Sequence, residues 1–230
     1  MSEARGLDGA RRSGGTLLHV SASPRGAQSE SLAIAAAFLS SYRATHPEVR
    51  VQEWDLWDGA LPDFGPAAAA AKMAVFGGAN PEGAAALAWR QARDAFDRVA
   101  AADEYLFSVP MWNHGVPYIL KQLIDVISQP GMVFGFDPEQ GYTGLLARKR
   151  ATVIYTSAVY GEDRPLSFGT DFQAPYFDGW LEWAGIGDHQ SIFFRPNLAT
   201  ADPEPARSAA LLRARDLGAA PYRIEDARAS

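Results

Sequence analysis

The sequence predicts an α/β chain: an open parallel sheet of five strands with helices on both faces. Three observations predict it. Short apolar runs alternate with segments of helical periodicity along the chain, the pattern of a parallel sheet with crossover helices. Residues 151–156 form a near-continuous β-branched and aromatic run, which suits a strand buried on both faces. Of the 230 residues 47% are apolar, ample for a core and too many for a disordered chain.

Each element follows in order. Residues 16–20 read as the first strand, running into a loop punctuated by Ser, Pro and Gly at 21–28. From Ser29, the residues Leu32, Ile34, Ala35, Phe38, Leu39 and Tyr42 recur at helical spacing until His46 and Pro47 stop them. Residues 49–56 are the second strand, 61–66 a loop, 67–75 a short helix and 84–102 an alanine-rich helix. Residues 104–109 are the third strand, ended by Pro110, and 110–115 a loop. Pro117 suits a first helical turn, and Leu120, Leu123, Ile124 and Ile127 then mark one apolar helix face. Gln129, Pro130 and Gly131 break that helix, and residues 133–146 predict an irregular hairpin. Residues 151–156 are the fourth sheet strand, 159–175 a long loop, and 176–184 a helix with Gly185 as its C-cap. Residues 191–195 are the fifth strand and 205–217 the last helix. Five strands fit the order 2-1-3-4-5 better than the six-stranded dinucleotide fold. The expected organisation is one domain over 16–217, with flexible tails at 1–15 and 218–230.

Composition narrows the chemistry. There is no cysteine, which excludes disulfides, thiolate metal sites and cysteine nucleophiles. His19, His46, His114 and His189 lack metal-ligand spacing, so no metal site is expected. A net charge of −6 and a pI near 5.2 argue against nucleic-acid binding, and Arg148, Lys149 and Arg150 read as a solvated turn. No apolar run approaches the roughly 20 residues of a membrane helix. Without an apolar leader segment or cysteine, the cytoplasm is the expected compartment.

In an open parallel sheet, ligands bind beyond the carboxyl ends of the strands. The loop after the first strand carries Ser21, Ser23, Arg25, Ser29, Glu30 and Ser31 and opens a helix. Free N–H groups and the positive dipole end there suit a phosphate. Neither a G-x-G-x-x-G nor a G-x-x-x-x-G-K-[ST] pattern is present, which leaves a phosphate monoester, or a plain serine-rich turn with Ser29 as N-cap. The loop after the third strand offers Trp112 as an apolar wall for a flat ring, or as a residue packing on its own helix. His114 reads as a hydrogen-bonded loop histidine or a proton donor.

Together the two loops resemble those of the flavodoxin-like NAD(P)H:quinone oxidoreductases, most closely the FMN-dependent NADH-azoreductases. The resemblance spans most of residues 16–195. It rests on Ser23-Pro-Arg-x-x-x-Ser29-x-Ser31 and on Pro110-Met-Trp-Asn-His114 leading into Gly115-Val-Pro-Tyr-Ile-Leu-Lys-Gln-Leu-Ile-Asp125. It implies FMN as cofactor and NADH or NADPH as electron donor. By position, Ser23, Ser29, Glu30 and Ser31 would wrap the phosphate and ribityl end, with Arg25 as an additional partner. Pro110, Met111, Trp112, Asn113 and His114 would line the isoalloxazine edge. The family's third flavin segment falls on Ser157, Ala158, Val159 and Tyr160, where azoreductases carry a glycine-richer turn. Val159 and Tyr160 are bulkier and alter the flavin or substrate face.

The chemistry implied is hydride transfer in a ping-pong cycle to a quinone, azo or related aromatic acceptor, with Tyr160 and His114 as candidate proton donors. Phe134, Phe136, Tyr142, Phe168, Phe172, Tyr176 and Phe177 lie in and beside the inserted segments, either flooring a substrate or forming the interface of an expected homodimer. The alternative is a flavodoxin-like electron carrier, against which the long hairpin and the 159–175 insertion argue. A domain that has lost its cofactor is a third reading. A hydrolase is disfavoured because no G-x-S-x-G elbow exists.

Overall fold

The computed structural model describes residues 15–221. The expected tails therefore fall outside the described residues, apart from Gly15 and residues 218–221. The observed elements are β1 (Thr16–Ser21), α1 (Glu30–Thr45), β2 (Arg50–Asp55), α2 (Pro66–Phe76), α3 (Gly83–Ala100), β3 (Glu104–Pro110), α4 (Tyr118–Ile127), β4 (Phe134–Asp137), β5 (Gly141–Gly144), β6 (Arg150–Thr156), α5 (Ala174–Ala184), β7 (Asp188–Phe194) and α6 (Glu204–Ala219). The main sheet is parallel with the order β2-β1-β3-β6-β7, and β4 and β5 form a separate antiparallel pair. Numbered among the sheet strands alone, this is the expected 2-1-3-4-5 topology.

Side chains that alternate along the strands feed two cores. Leu18, Val20, Phe107 and Val153 pack under α3, α4 and α5. Leu17, Leu106, Ile154 and Ile192 pack under α1 and α6 with Ile34, Phe38, Ala210 and Ala214. The four residues expected on the α4 face, Leu120, Leu123, Ile124 and Ile127, are all buried. Gly185 closes α5 in the left-handed region at φ 96°, as the expected C-cap requires.

Several expectations are corrected. The last helix does not stop at 217: Gly218 and Ala219 belong to α6, and Gly218 lies so close to α1 that any Cβ there would meet the carbonyl of Phe38. Strand β7 begins at Asp188, three residues before the expected start, because an edge strand tolerates polar residues on its open side. Pro110 is the last residue of β3, paired with Thr156, and not a loop residue. Phe177 and Phe134 are buried, so neither serves an interface. Phe177 meets Phe107 edge-on at 5.0 Å and stacks on Trp180 at 5.6 Å. The 148–150 turn is more than solvated charge. Lys149 donates to the carbonyls of Ala100 and Ala102 at the end of α3, and Arg150 bridges Glu104 at 3.2 Å and Asp188 at 3.1 Å.

The strand register places the chemistry. Ser21 stands beside Asp55 on one side and Ser108 on the other, and Pro110 beside Thr156. The loops leaving β1, β2, β3 and β6 therefore rise from one edge of the sheet.

Candidate flavin and acceptor site

The loop after β1 leads through one short turn into α1. Ser29 is the N-cap: its Oγ accepts from the Leu32 N–H at 3.3 Å and lies 3.1 Å from Ser31 Oγ. The first-turn amides of Glu30 and Ser31 have no intrahelical partner, as at any helix start. Ser23 and Ser21 are buried with hydroxyls that meet no partner among the described residues. A buried unpaired hydroxyl is costly, and two beside a helix N-terminus fit an anion that would satisfy them. The Arg25 side chain is exposed and makes no ion pair among the described residues. Glu30 is corrected: its carboxylate is taken by Arg207 of α6 at 2.9 Å, leaving only its amide to face a phosphate.

Beneath this loop His19 is buried on β1, its Nε2 2.9 Å from Ser108 Oγ, and that hydroxyl donates to the Ser31 carbonyl at 3.4 Å. Burial lowers the imidazole pKa from 6.5 to about 4, with Arg43 adding to the effect. Glu53, 3.9 Å from Nδ1, acts in the opposite direction. Its carboxylate is more than half exposed and already held by Arg43 at 2.7 Å, so burial prevails.

After β3, Trp112 and Gly115 exchange two backbone hydrogen bonds of 2.9 Å around Asn113 and His114, whose φ values are 48° and 72°. Two successive positive φ angles are those of a type I′ turn, in which Asn is favoured. The Met111 amide is consumed by the Thr156 carbonyl at 2.7 Å. The amides of Asn113 and His114 find no acceptor among the described residues, so these two donors, rather than Met111 or Pro110, are left for a ring edge. His114 accepts the Thr170 N–H at Nδ1, 3.0 Å, and its carbonyl accepts the Phe172 N–H at 2.9 Å. The ring is thus an anchor for the 159–173 segment, with any proton to give held on Nε2.

After β6, Ser157 is buried, and its Oγ accepts the Tyr160 N–H at 3.0 Å. The carbonyls of Ser157 and Ala158 receive the amides of Asn197, Leu198 and Ala199. Val159 is 47% exposed. The Tyr160 phenol has its pKa raised, first by burial and then by Asp171.

A cleft of about 870 Å³ opens beside Trp112 and Asn113, walled by Phe64, Tyr118, Phe172 and Tyr176 and carrying Asp63, Lys121 and Asp125. Trp112, Trp57 and Tyr118 form an aromatic cluster with centroids 5.1 to 6.0 Å apart. Sequence reasoning missed Asp63, Phe64, Tyr118, Lys121, Gln122 and Asp125. The last four repeat at i, i+3, i+4 and i+7, the complement of the apolar stripe on α4. Among the described residues no group of acidic or histidine side chains is arranged to hold a metal, and no helix is long and apolar enough to cross a membrane.

Comparison with known proteins agrees with this geometry. Residues 15–217 match the family model of the flavodoxin-like fold. The FMN-dependent NADH:quinone oxidoreductase of Ruegeria pomeroyi is 44% identical over 195 residues, 85% of this chain and 96% of that protein. The FMN-dependent NADH:quinone oxidoreductase 9 of Burkholderia lata is 38% identical, over 87% and 97% of the two chains. Among solved structures, an azoreductase from Bacillus anthracis is 25% identical with a TM-score of 0.81, covering 89% of this chain and 99% of that one.

Proposed function

Since the chain belongs to the flavodoxin-like family, in the branch of the FMN-dependent NADH:quinone oxidoreductases, we propose that it transfers hydride from NADH through FMN to a quinone or related flat aromatic acceptor. The observation that carries this reading is the pairing, along one sheet edge, of a hydroxyl-rich helix start with an aromatic cleft. FMN supplies the redox chemistry when bound, taking hydride from the donor and passing it to the acceptor in a ping-pong cycle.

The protein's residues do the rest. Ser23, Ser29, Ser31 and the first amides of α1 would hold the terminal phosphate, with Arg25 offsetting its charge. The amides of Asn113 and His114 would donate to the ring edge, and Trp112 would wall it. Ser157, Ala158, Val159 and Tyr160 would border the flavin from the loop after β6, and the Tyr160 phenol would serve as a proton donor there. Phe172, Tyr118 and Tyr176 would receive a flat acceptor and exclude water.

An electron carrier without its own substrate would leave the flavin edge bare, whereas here the 159–173 segment is tied down beside a walled cleft. We further infer a homodimer. Phe136 and Tyr142 of the hairpin are about half exposed, their rings lie 5.1 Å apart, and Phe76 joins them at 6.5 Å from Phe136, a contiguous apolar patch of the kind that marks contacts. The cytoplasm remains the compartment we infer.

The test is direct. Purified protein should show the visible bands of oxidised flavin, release FMN and not FAD on heating, and oxidise NADH with a small quinone. Recovery of FAD, or a colourless protein that takes up no FMN, would overturn the reading.

A further inference from the structure

Arg195, the residue that follows β7, is a buried cation that the hydride chemistry does not use. Its side chain is 2% exposed and pairs through Nη1 with Asp171 Oδ2 at 2.5 Å. Its guanidinium lies over Phe193 at 4.4 Å, Tyr155 at 5.2 Å and Tyr160 at 5.6 Å. Nε and Nη2 are buried and meet no hydrogen-bond partner among the described residues. A desolvated guanidinium with one carboxylate is tightly committed to it, since removing either partner strands a buried charge. Asp171 is equally committed, because its Oδ1 accepts the amides of Gln173 and Ala174 at the start of α5 at 2.8 and 3.0 Å.

Both ends of the segment between β6 and α5 thus converge on one side chain. Tyr160, at its start, rests on the guanidinium face, and Asp171, near its end, is ion-paired to the guanidinium edge. Next to Asp171, Thr170 and Phe172 are bonded to His114 of the turn after β3, and Phe172 walls the cleft.

We propose that Arg195 is a positioning residue for acceptor selectivity: by pairing with Asp171 and stacking on Tyr160 it fixes the 157–173 segment and with it Phe172, the residue of that segment that walls the cleft, and so limits the size of the acceptor admitted. The proposal rests on the acceptor-reduction reading above. Removing the ion pair frees Phe172 and Tyr160 without touching Ser23, Ser29, Ser31 or the Asn113 turn. The loss should therefore fall on the binding of one acceptor relative to another.

The experiment compares FMN-loaded Asp171→Asn, which keeps the shape and the α5 bonds, and Arg195→Lys, which keeps the charge but loses the fork. Each is assayed with NADH and either a small benzoquinone or a bulky azo dye. The kcat/KM ratio of dye to benzoquinone should rise about tenfold, mostly through KM of the dye. Hydrogen exchange of amides in the 161–172 segment should speed up, and the double variant should add little to either single one. An unchanged ratio in flavin-loaded variants overturns the proposal. So does loss of flavin from both variants, which would place the ion pair in support of the cofactor instead. A wild type that reduces neither acceptor fails the functional reading itself, a separate result seen before any variant is made.

Discussion

Acidification should destabilise this protein through His19. The imidazole is buried on β1 and bonded to Ser108, and burial holds its pKa at about 4 against an ordinary 6.5. In the unfolded chain the ring takes up a proton as pH falls through 6.5, whereas the folded chain takes it up only near 4. Stability from this group is therefore intact above the unfolded value and is lost as pH falls through the window between the two. Linkage gives a loss of about 2 to 3 kcal/mol by about pH 4.5. Glu104, whose pKa is raised by burial, acts with the opposite sign: its penalty is relieved as it protonates. The His19 share must therefore be read as a difference between two proteins. Urea unfolding at about pH 7.5 and about pH 4.5, at one FMN concentration, should show a fall in wild type that exceeds the fall in His19→Gln by that 2 to 3 kcal/mol. Equal falls in the two, or an imidazole NMR signal of His19 titrating near its ordinary value, would refute the reasoning.

Other expectations follow from the site and the core. Replacing Ser29 and Ser31 together by Ala should raise the FMN dissociation constant by about 150-fold or more in a fluorescence titration, since each bond to a charged acceptor is worth roughly 1.5–3 kcal/mol; an unaltered constant would put the phosphate elsewhere. Tyr160→Gly should favour bulky azo dyes over small quinones in steady-state kcat/KM with flavin content retained, and an unchanged ratio would mean the phenol does not shape the cleft. Phe177→Ala empties a fully buried site between Phe107 and Trp180 and should cost about 3–5 kcal/mol in denaturant unfolding. Light scattering at micromolar concentration should give the mass of a dimer, and a monomer mass would remove the inferred interface.

The sheet was legible because each buried strand spells its environment. Most residues of β3 and β6 are buried on both faces, and the i, i+3, i+4, i+7 stripe on α4 is unbroken. The polar start of β7 was not legible, because an edge strand with one open side reads like a loop. The two loops after β1 and β3 were legible as candidate sites: serines before a helix, and Asn-His in a tight turn. Their division of labour was not. Glu30 looks like part of the phosphate loop until Arg207, distant in sequence, is seen to occupy its carboxylate. The cleft was missed where its residues sit on the polar side of a helix whose apolar side drew attention. The role of Arg195 depends on Asp171 and Tyr160 meeting it from both ends of a long loop, a juxtaposition no spacing reveals.

The docking of α6 on α1 has a bearing on how the protein is made. The serine-rich loop after β1 is among the first parts of the described chain to be synthesised, yet the helix it opens is covered by the last helix described. Arg207 reaches Glu30, and the Gly218 carbonyl accepts from Thr45 at 3.2 Å. Until α6 has been synthesised, Phe38, Leu39 and their neighbours on α1 lack its packing. A chain shortened before α6 would keep Ser23, Ser29 and Ser31 while lacking the helix that packs on α1 behind them.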